Sequence, residues 1–496
     1  MKKILLLICL IFSCCCVCAC NHGYTSVSEA SKGLSTYKMN IEYLESTKTL
    51  NVLQNLTYVN NENTQIRELY FHLYPKSFNS DSESQVVGIL NKAKAYYNGE
   101  SEGDIEINSI QCSEETLAMT YVHNDQDILK IEFNDPIEPL DSVDLSFEYV
   151  VTLPNCNHRF GYGENTINVG NFYPILAVYD NGEYMIDSYH SNGDPFYSDV
   201  ANYEVEINVP EKYVIAATGY EEEVQQNEGV KIVRYAAKAV RDFAFVLSEK
   251  FEVVSANIEG VDVKYYYYDD PNFESNLQTS IDSLVTFNEL FGEYPYSTLS
   301  VVKANFVHGG MEYPNLVYIS DEVNNLEDYA NVIIHEIAHQ WWYGLVGNNE
   351  YQNSWLDEGL AEFSTVLFYE KNPSYNIDTG EIIKNITKSY TTFVDLYSSV
   401  LGEVDTSMNR KLNEYNTEPE YVYITYVKGN LLFNTLRTTI GQDKLIKALK
   451  LYFRDNMFKI ATPEDLIFAV EKVCGMDMQE FFNSWILGKV KILENI

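Results

Sequence analysis

The sequence predicts a multidomain α and β protein, in which an all-β domain precedes a mainly helical domain. Alternating apolar and polar residues dominate residues 38–250, whereas apolar residues recur at helical spacing from about residue 272. Two histidines four positions apart lie in the helical part. The length of 496 residues leaves ample material for more than one hydrophobic core.

The amino terminus resembles an export signal. Lys2 and Lys3 precede residues 4–12, a run of apolar side chains. This run is too short to cross a bilayer as a helix, which needs about 20 residues, but it suits the apolar core of a signal peptide. We therefore expect residues 1–19 to be a signal peptide and the mature protein to be exported.

A cysteine at the end of this signal is a candidate for lipid attachment. Residues 17–20 read Val-Cys-Ala-Cys, which resembles a bacterial lipobox, where the signal is cut before a cysteine that carries lipid. We expect Cys20 to carry that lipid and to anchor the protein on the extracytoplasmic face of the cell membrane. Cys14 is the alternative, after a shorter apolar run. Residues 20–37, polar and rich in serine, resemble a flexible tether.

The cysteine pattern fits this interpretation. Six of the nine cysteines lie within the first twenty residues, so most of them would be discarded with the signal rather than form a metal or disulfide cluster. Export permits a disulfide between Cys112 and Cys156, although nothing in their spacing requires one.

The charge balance limits the partners of the protein. The chain has 72 acidic and 34 basic residues, which gives a formal net charge of −38. Such a surface repels nucleic-acid phosphates and anionic lipid head groups. We therefore expect no nucleic-acid partner, and we assign membrane attachment to the lipid alone.

Alternation with a period of two predicts the strands of the first domain. In residues 203–209 every second side chain is apolar, and Pro210 ends the run. Residues 129–133 and 145–149 alternate in the same way, and turn-forming Asn, Asp, Gly and Pro lie between such segments. We assign residues 38–250 to an all-β domain.

The helical part contains a combination of residues that predicts a catalytic zinc site. His335 and His339 are four positions apart, so on a helix both imidazoles project from one face toward a single metal ion. Glu358 lies beyond a further eighteen residues and can supply a third ligand, which leaves one coordination position open for water. Glu336 can act as general base on that water. The alternative is a pair of helical histidines satisfied by ordinary hydrogen bonds.

Three motifs together resemble the zinc aminopeptidases of the aminopeptidase N type, which are gluzincins. Residues 335–339 with Glu358 are similar to the family's metal motif, residues 309–314 to its Gly-x-Met-Glu-Asn element, and residues 426–429 to its Tyr-x-Lys-Gly element. The three occur in the family's order. The resemblance implies one zinc ion and peptide substrates with a free amino terminus.

The same resemblance implies roles for individual residues. Glu312 would grip the free α-amine of a peptide, and Tyr426 would stabilise the oxyanion that forms during hydrolysis. Tyr421 and Tyr423 are alternative candidates for this role. Only Tyr426 stands in the Lys-Gly context of the family's motif. The substrate-binding element consists of Gly309, Gly310, Met311 and Glu312.

The resemblance also implies a fold. A thermolysin-like, mainly helical zinc peptidase domain is expected in residues 251–496, and no large carboxy-terminal helical domain is expected after it. The sequence departs from the family at Tyr313, where asparagine is usual. In the family the first domain adds an acceptor to the amine site, and the matching stretch here is near residues 163–165.

The expected function is removal of residues from the amino terminus of peptides. A zinc endopeptidase would use the same metal chemistry and ignore that terminus, which the Gly-Gly-Met-Glu element argues against. Epoxide hydrolysis is known in one branch of the family. A non-catalytic surface binding lipoprotein is a further alternative, although it would not need both Glu336 and Tyr426.

Overall fold

The computed structural model describes residues 24–84, 86–113 and 115–492. The expected signal peptide and Cys20 lie outside these ranges. The chain is rich in β-strands as far as Val261–Tyr267 and mainly helical after that strand. Within the described ranges, no helix is long and apolar enough to cross a membrane.

The first domain is built on an eight-stranded sheet. Its strand Thr36–Leu44 runs parallel to Ala201–Pro210 and antiparallel to Thr49–Val59. Every second side chain of Ala201–Pro210 is buried, as the alternation in its sequence predicts. From one edge to the other the strands are Tyr220–Asn227, Val230–Val240, Ala201–Pro210, Thr36–Leu44, Thr49–Val59, Ser142–Thr152, Asp104–Cys112 and Glu115–Thr116.

Two smaller sheets and a hairpin complete this domain, so the prediction of a strand-rich first domain is confirmed. Its helical segments are short: Val27–Ala30, Tyr74–Phe78 and Lys92–Ala95. Cys112 and Cys156 are free thiols, so the disulfide that export permits is not formed. The first of these sheets contains Val214–Ala217, Phe245–Ser248, Ile167–Val169 and Phe160–Tyr162. The second contains Ile175–Leu176, Ile66–His72, Ile128–Ile137 and Thr120–Tyr121. The hairpin consists of Tyr179–Asp180 and Glu183–Tyr184.

The folded body begins earlier than the composition predicts. Residues 20–37 resemble a tether, but the ring of Tyr24 packs 5.9 Å from that of Phe453 in the second domain. A short helix follows at Val27–Ala30, and its capping residue Ser31 accepts a hydrogen bond of 3.0 Å from Asn202. The serine-rich composition therefore hides a segment that is held by an aromatic contact and by backbone hydrogen bonds.

The second domain opens with a five-stranded sheet. The last strand of the first domain, Phe245–Ser248, and the first strand of this sheet lie on either side of the expected boundary at residue 250. The order across the sheet places Gly310–Met311 at its edge. The five strands are, in that order, Glu252–Ile258, Val261–Tyr267, Thr298–Ala304, Leu316–Ser320 and Gly310–Met311.

Helices form the rest of this domain, as the resemblance implies. The two that matter most here are Leu326–Ala338, the histidine helix, and Trp355–Lys371, the glutamate helix. The last helix of the described residues ends at Ile486. Two short strands, Val346–Gly347 and Lys459–Ile460, pair with each other among the helices. The other helical segments are Phe273–Leu290, Glu350–Asn353, Pro373–Tyr375, Thr379–Leu401, Leu412–Glu414, Glu418–Val422, the π-helix Tyr423–Val427, Lys428–Ile440, Gln442–Asn456, Pro463–Cys474 and Gln479–Ile486.

Arg241 joins the two domains just beyond the histidine helix. Its buried guanidinium donates from Nε to the carbonyl of Tyr343 over 2.7 Å, from Nη1 to that of Ser198 over 3.0 Å, and from Nη2 to that of Lys459. A Cβ on Gly347 would lie 2.1 Å from Arg241 Cζ, so only glycine fits beside the guanidinium. These bonds fix the β domain against the metal-bearing domain.

Candidate metal centre and substrate cleft

Three side chains from two packed helices converge on one point. His335 Nε2 lies 3.1 Å from His339 Nε2, and each of these nitrogens lies 3.2 Å from Glu358 Oε2. His335 belongs to the last turn of the histidine helix, His339 caps that helix, and Glu358 lies in the first turn of the glutamate helix. All three side chains are buried.

The triangle of donor atoms fits a zinc ion. Tetrahedral zinc with bonds of about 2.0–2.1 Å places neighbouring ligand atoms roughly 3.3–3.4 Å apart, which is close to the separations found here. Two imidazoles and one carboxylate are typical zinc donors, and a site with three protein ligands keeps its fourth position open. The three residues line a cleft of about 400 Å³, so a metal ion held by them would face this cleft.

The two histidines are oriented by different partners. His339 Nδ1 lies 2.9 Å from the carbonyl oxygen of Trp342, which can only accept, so the proton is on Nδ1 and Nε2 is free to bind metal. His335 Nδ1 lies 3.2 Å from Glu362 Oε1, a carboxylate one helical turn beyond Glu358. One helix therefore supplies both a metal ligand and the group that orients another ligand.

Glu336 lies beside the metal triad with space made for it by a glycine. A Cβ on Gly310 would lie 2.3 Å from Glu336 Oε1, so only glycine fits at that position of the edge strand. The other carboxylate oxygen has no hydrogen-bond partner among the described residues. Burial raises the pKa of Glu336 to about 7, against the opposing effect of His335 and His339. A carboxylate of this pKa can both take up and release a proton near neutral pH.

Glu312 follows the edge strand and faces the cleft. Its side chain is 3% exposed, and Oε1 has no hydrogen-bond partner among the described residues. Oxygen atoms of Glu312, Asp194 and Glu358 lie within 4.8 Å of one another. Burial and the neighbouring Asp194 raise the pKa of Glu312, because little nearby positive charge offsets the carboxylate.

Tyr426 lies over the metal site. Its hydroxyl hydrogen-bonds Glu358 Oε1, and its ring stacks on that of His335 with centroids 6.0 Å apart. Burial raises the pKa of Tyr426 far above its usual value, so the phenol stays protonated and can donate. Of its two rivals, Tyr421 also lines the cleft, whereas Tyr423 stacks on Phe393 of a neighbouring helix.

The Lys-Gly pair that follows Tyr426 has a structural role. Lys428 is fully buried, and its ammonium donates to the carbonyls of Thr406 over 2.5 Å and Trp485 over 2.8 Å. A Cβ on Gly429 would lie 2.7 Å from the Cα of Gly359, so two glycines allow the helices to meet. This contact sets the distance between Tyr426 and the glutamate helix.

The first domain contributes residues that differ from the expected stretch. Residues 163–165 do not line the cleft, because Asn165 and its neighbours bond Asn305 on another side of the domain. Arg159 and Asp194 line it instead, with Arg159 Nη1 2.5 Å from Asp194 Oδ1. No motif marks Asp194 in sequence, whereas Glu362 could be inferred from its helical spacing to Glu358.

Comparison with known proteins agrees with this site. The peptidase family M1 domain matches residues 275–485. The membrane alanyl aminopeptidase of Manduca sexta is 25% identical over 274 residues, which cover 49% of this chain and 27% of that protein. Aminopeptidase N of Lactobacillus delbrueckii subsp. lactis is 26% identical over 267 residues, which cover 49% of this chain and 30% of that protein. The match thus spans less than a third of the length of these relatives.

Solved structures share the fold of both domains. The M1 zinc metallopeptidase from Deinococcus radiodurans is similar with a TM-score of 0.64 and 16% identity, over 94% of this chain and 98% of that one. A point mutant of the same enzyme, bound to a Tyr-Ser-Ala substrate, gives a TM-score of 0.63, also at 16% identity and over the same shares of the two chains. At this identity the similarity concerns the fold.

Proposed function

We propose that this chain, whose residues 275–485 match the peptidase family M1 domain, is a zinc-dependent aminopeptidase, which removes residues from the free amino terminus of peptides. The buried carboxylate of Glu312 carries the proposal. It lies within reach of the metal site with one oxygen unpaired among the described residues. The α-ammonium group of a peptide would satisfy that oxygen and would set the first peptide bond beside the metal.

The metal triad and Glu336 perform the hydrolysis in this proposal. His335, His339 and Glu358 would hold a zinc ion, which when bound would supply a Lewis acid that lowers the pKa of water and polarises a peptide carbonyl. Glu336 takes a proton from the attacking water and returns it to the leaving amine. Its burial and the unpaired oxygen beside the cleft support this role.

Two further groups act on the substrate. Asp194, held by Arg159, lies close to Glu312, so the ammonium group is received between two carboxylates. Tyr426 turns its single hydroxyl hydrogen bond from Glu358 to the substrate carbonyl oxygen as negative charge develops there, and keeps its proton. The backbone of Gly310–Met311, at the edge of the sheet, can pair with an extended peptide.

Paired substrates test the proposal. Amino-acid arylamides and short peptides, each with a free or an acetylated amino terminus, are incubated with the zinc-loaded protein, with and without a chelator. We expect cleavage of the free forms alone, and its loss on chelation. Cleavage of acetylated peptides would favour the zinc endopeptidase, and absence of all cleavage would favour a non-catalytic binding lipoprotein.

We also propose that the protein is exported and anchored by a lipid on Cys20, at the extracytoplasmic face of the cell membrane. The short apolar run and the lipobox-like residues 17–20 support this. Expression with an alkyne fatty acid should label the wild-type protein in the membrane fraction. The Cys20→Ala variant should be unlabelled, and equal labelling of both would contradict the assignment.

A further inference from the structure

The charges that line the cleft do not balance. Among the described residues its wall contains six carboxylates and a single guanidinium, that of Arg159. His158 and His308 add no positive charge, because burial lowers the pKa of both imidazoles. The six acidic residues are Asp194, Glu312, Glu336, Glu358, Glu362 and Glu418.

Five of the six have an assigned partner. In the proposed function Glu358 binds the metal, Glu336 transfers the proton and Glu312 receives the substrate amine. Asp194 contacts Arg159, and Glu362 contacts His335. Glu418 alone has no cationic partner among the described residues and no part in the proposed reaction.

The carboxylate of Glu418 is held in place but only half satisfied. Oε1 accepts a hydrogen bond of 3.2 Å from Asn91 Nδ2, whereas Oε2 is buried without a hydrogen-bond partner among the described residues. A Cβ on Gly88 would lie 2.7 Å from Oε2, so a glycine leaves room for the carboxylate. Burial raises the pKa of Glu418, and a cation beside Oε2 would reverse that cost.

Glu418 lines the same cleft as the amine site. It begins the short helix Glu418–Val422, and Tyr421 lies one turn further along. The phenol of Tyr421 packs against Gly193, where a Cβ would lie 2.3 Å from the hydroxyl oxygen. Gly193 is the neighbour of Asp194, one of the two carboxylates at the amine site. Glu418 and the amine site therefore share one cleft, and the helix Glu418–Val422 connects them through the contact of Tyr421 with Gly193.

We propose that Glu418 selects peptides whose first residue is arginine or lysine, by pairing with the cationic end of that side chain. The inference rests on the proposed aminopeptidase function and adds a substrate class to it. Of the two basic residues, arginine can bind a carboxylate through two parallel hydrogen bonds.

Steady-state kinetics on four arylamides tests this inference. Arginine, lysine, methionine and glutamate derivatives are compared, because methionine is unbranched and uncharged. We expect kcat/KM for the basic pair to exceed that for methionine by at least about tenfold. Glu418→Gln should lower kcat/KM for the basic pair by about 10- to 100-fold and leave that for methionine within about twofold. Glu381→Gln, which removes an exposed carboxylate from another helix, is the matched control.

A second variant and the methionine substrate keep the outcomes distinct. Asn91→Ala removes the amide that holds Oε1 and should give an intermediate loss for the basic pair. An equal loss on all four substrates in Glu418→Gln would overturn the inference. Efficient hydrolysis of methionine without preference for basic residues would also overturn it, yet leave the aminopeptidase function standing. No hydrolysis of any arylamide would remove both.

Discussion

The phenol of Tyr313 crosses from the catalytic domain into the β domain and donates a hydrogen bond of 2.6 Å to Asn171 Oδ1. Asn171 in turn donates to Asp242 Oδ2 over 2.6 Å. A Cβ on Gly170 would lie 1.9 Å from the Tyr313 hydroxyl, so the ring fills space that only glycine leaves. The departure from the family's asparagine is thus part of the domain contact, and Tyr313 is not among the residues that line the cleft.

Replacing Tyr313 by phenylalanine should weaken this contact. The ring remains, but the buried carbonyl oxygen of Asn171 loses its donor, which costs about 1–3 kcal/mol of unfolding free energy. Chemical denaturation measures the loss. Tyr318→Phe is the matched control, because the Tyr318 hydroxyl lies 3.4 Å from its acceptor and should matter less. Equal stability of Tyr313→Phe and wild type would contradict the role given to this bond.

Glu336→Gln should separate chemistry from folding and metal binding. Glutamine keeps the shape of the side chain and cannot act as a base, so kcat should fall by about 100- to 10,000-fold. Zinc content and the thermal unfolding midpoint should stay at wild-type values, which metal analysis and calorimetry would verify. Near-normal turnover in this variant would rule out Glu336 as the general base.

Glu362→Ala should weaken the hold on the metal. Loss of the carboxylate that orients His335 is expected to lower zinc affinity by about 10- to 100-fold. Competition with a chromophoric chelator measures the affinity directly. Glu362→Gln keeps an acceptor oxygen and should recover part of the loss. If Glu418→Gln, which removes a charge elsewhere in the cleft, weakened zinc binding equally, cleft charge and not orientation would be responsible.

Glu312→Ala should act on the substrate amine. The variant loses one of the two carboxylates that receive the ammonium group, so kcat/KM for free amino termini should fall by about tenfold or more. Any slow cleavage of acetylated substrates should be unaffected. The ratio of the two rates is the measurement. A parallel loss on both substrate forms would remove the amine-binding role from Glu312.

Regular patterns made much of this fold and site predictable. The alternation in residues 203–209 reflects a strand with one buried face, and the pattern survives because burial follows the pleat. His335 and His339 were predictable for a similar reason, since helical spacing determines which side chains share a face. Glu358 lies on another helix and was indicated by the eighteen residues that separate it from His339. Short-range periodicity therefore carries both kinds of prediction.

Contacts between distant segments had no such signal. Arg159 and Asp194 reach the cleft through loops of the β domain, where no period relates sequence to direction. The packing of Tyr24 on Phe453 joins residues more than 400 positions apart, and serine-rich composition concealed it. The role of Tyr313 likewise depends on a glycine and an asparagine from the other domain.

The early docking of Tyr24 has a consequence for where catalysis would take place. Only residues 21–23 separate Cys20 from Tyr24, and four Cα steps reach at most roughly 14 Å. A lipid on Cys20, as proposed, would hold the catalytic domain close to the membrane surface. The active site would then operate near the bilayer, on peptides that leave or approach the cell surface. The anionic head groups of the lipids would compete with the cleft for cationic peptides.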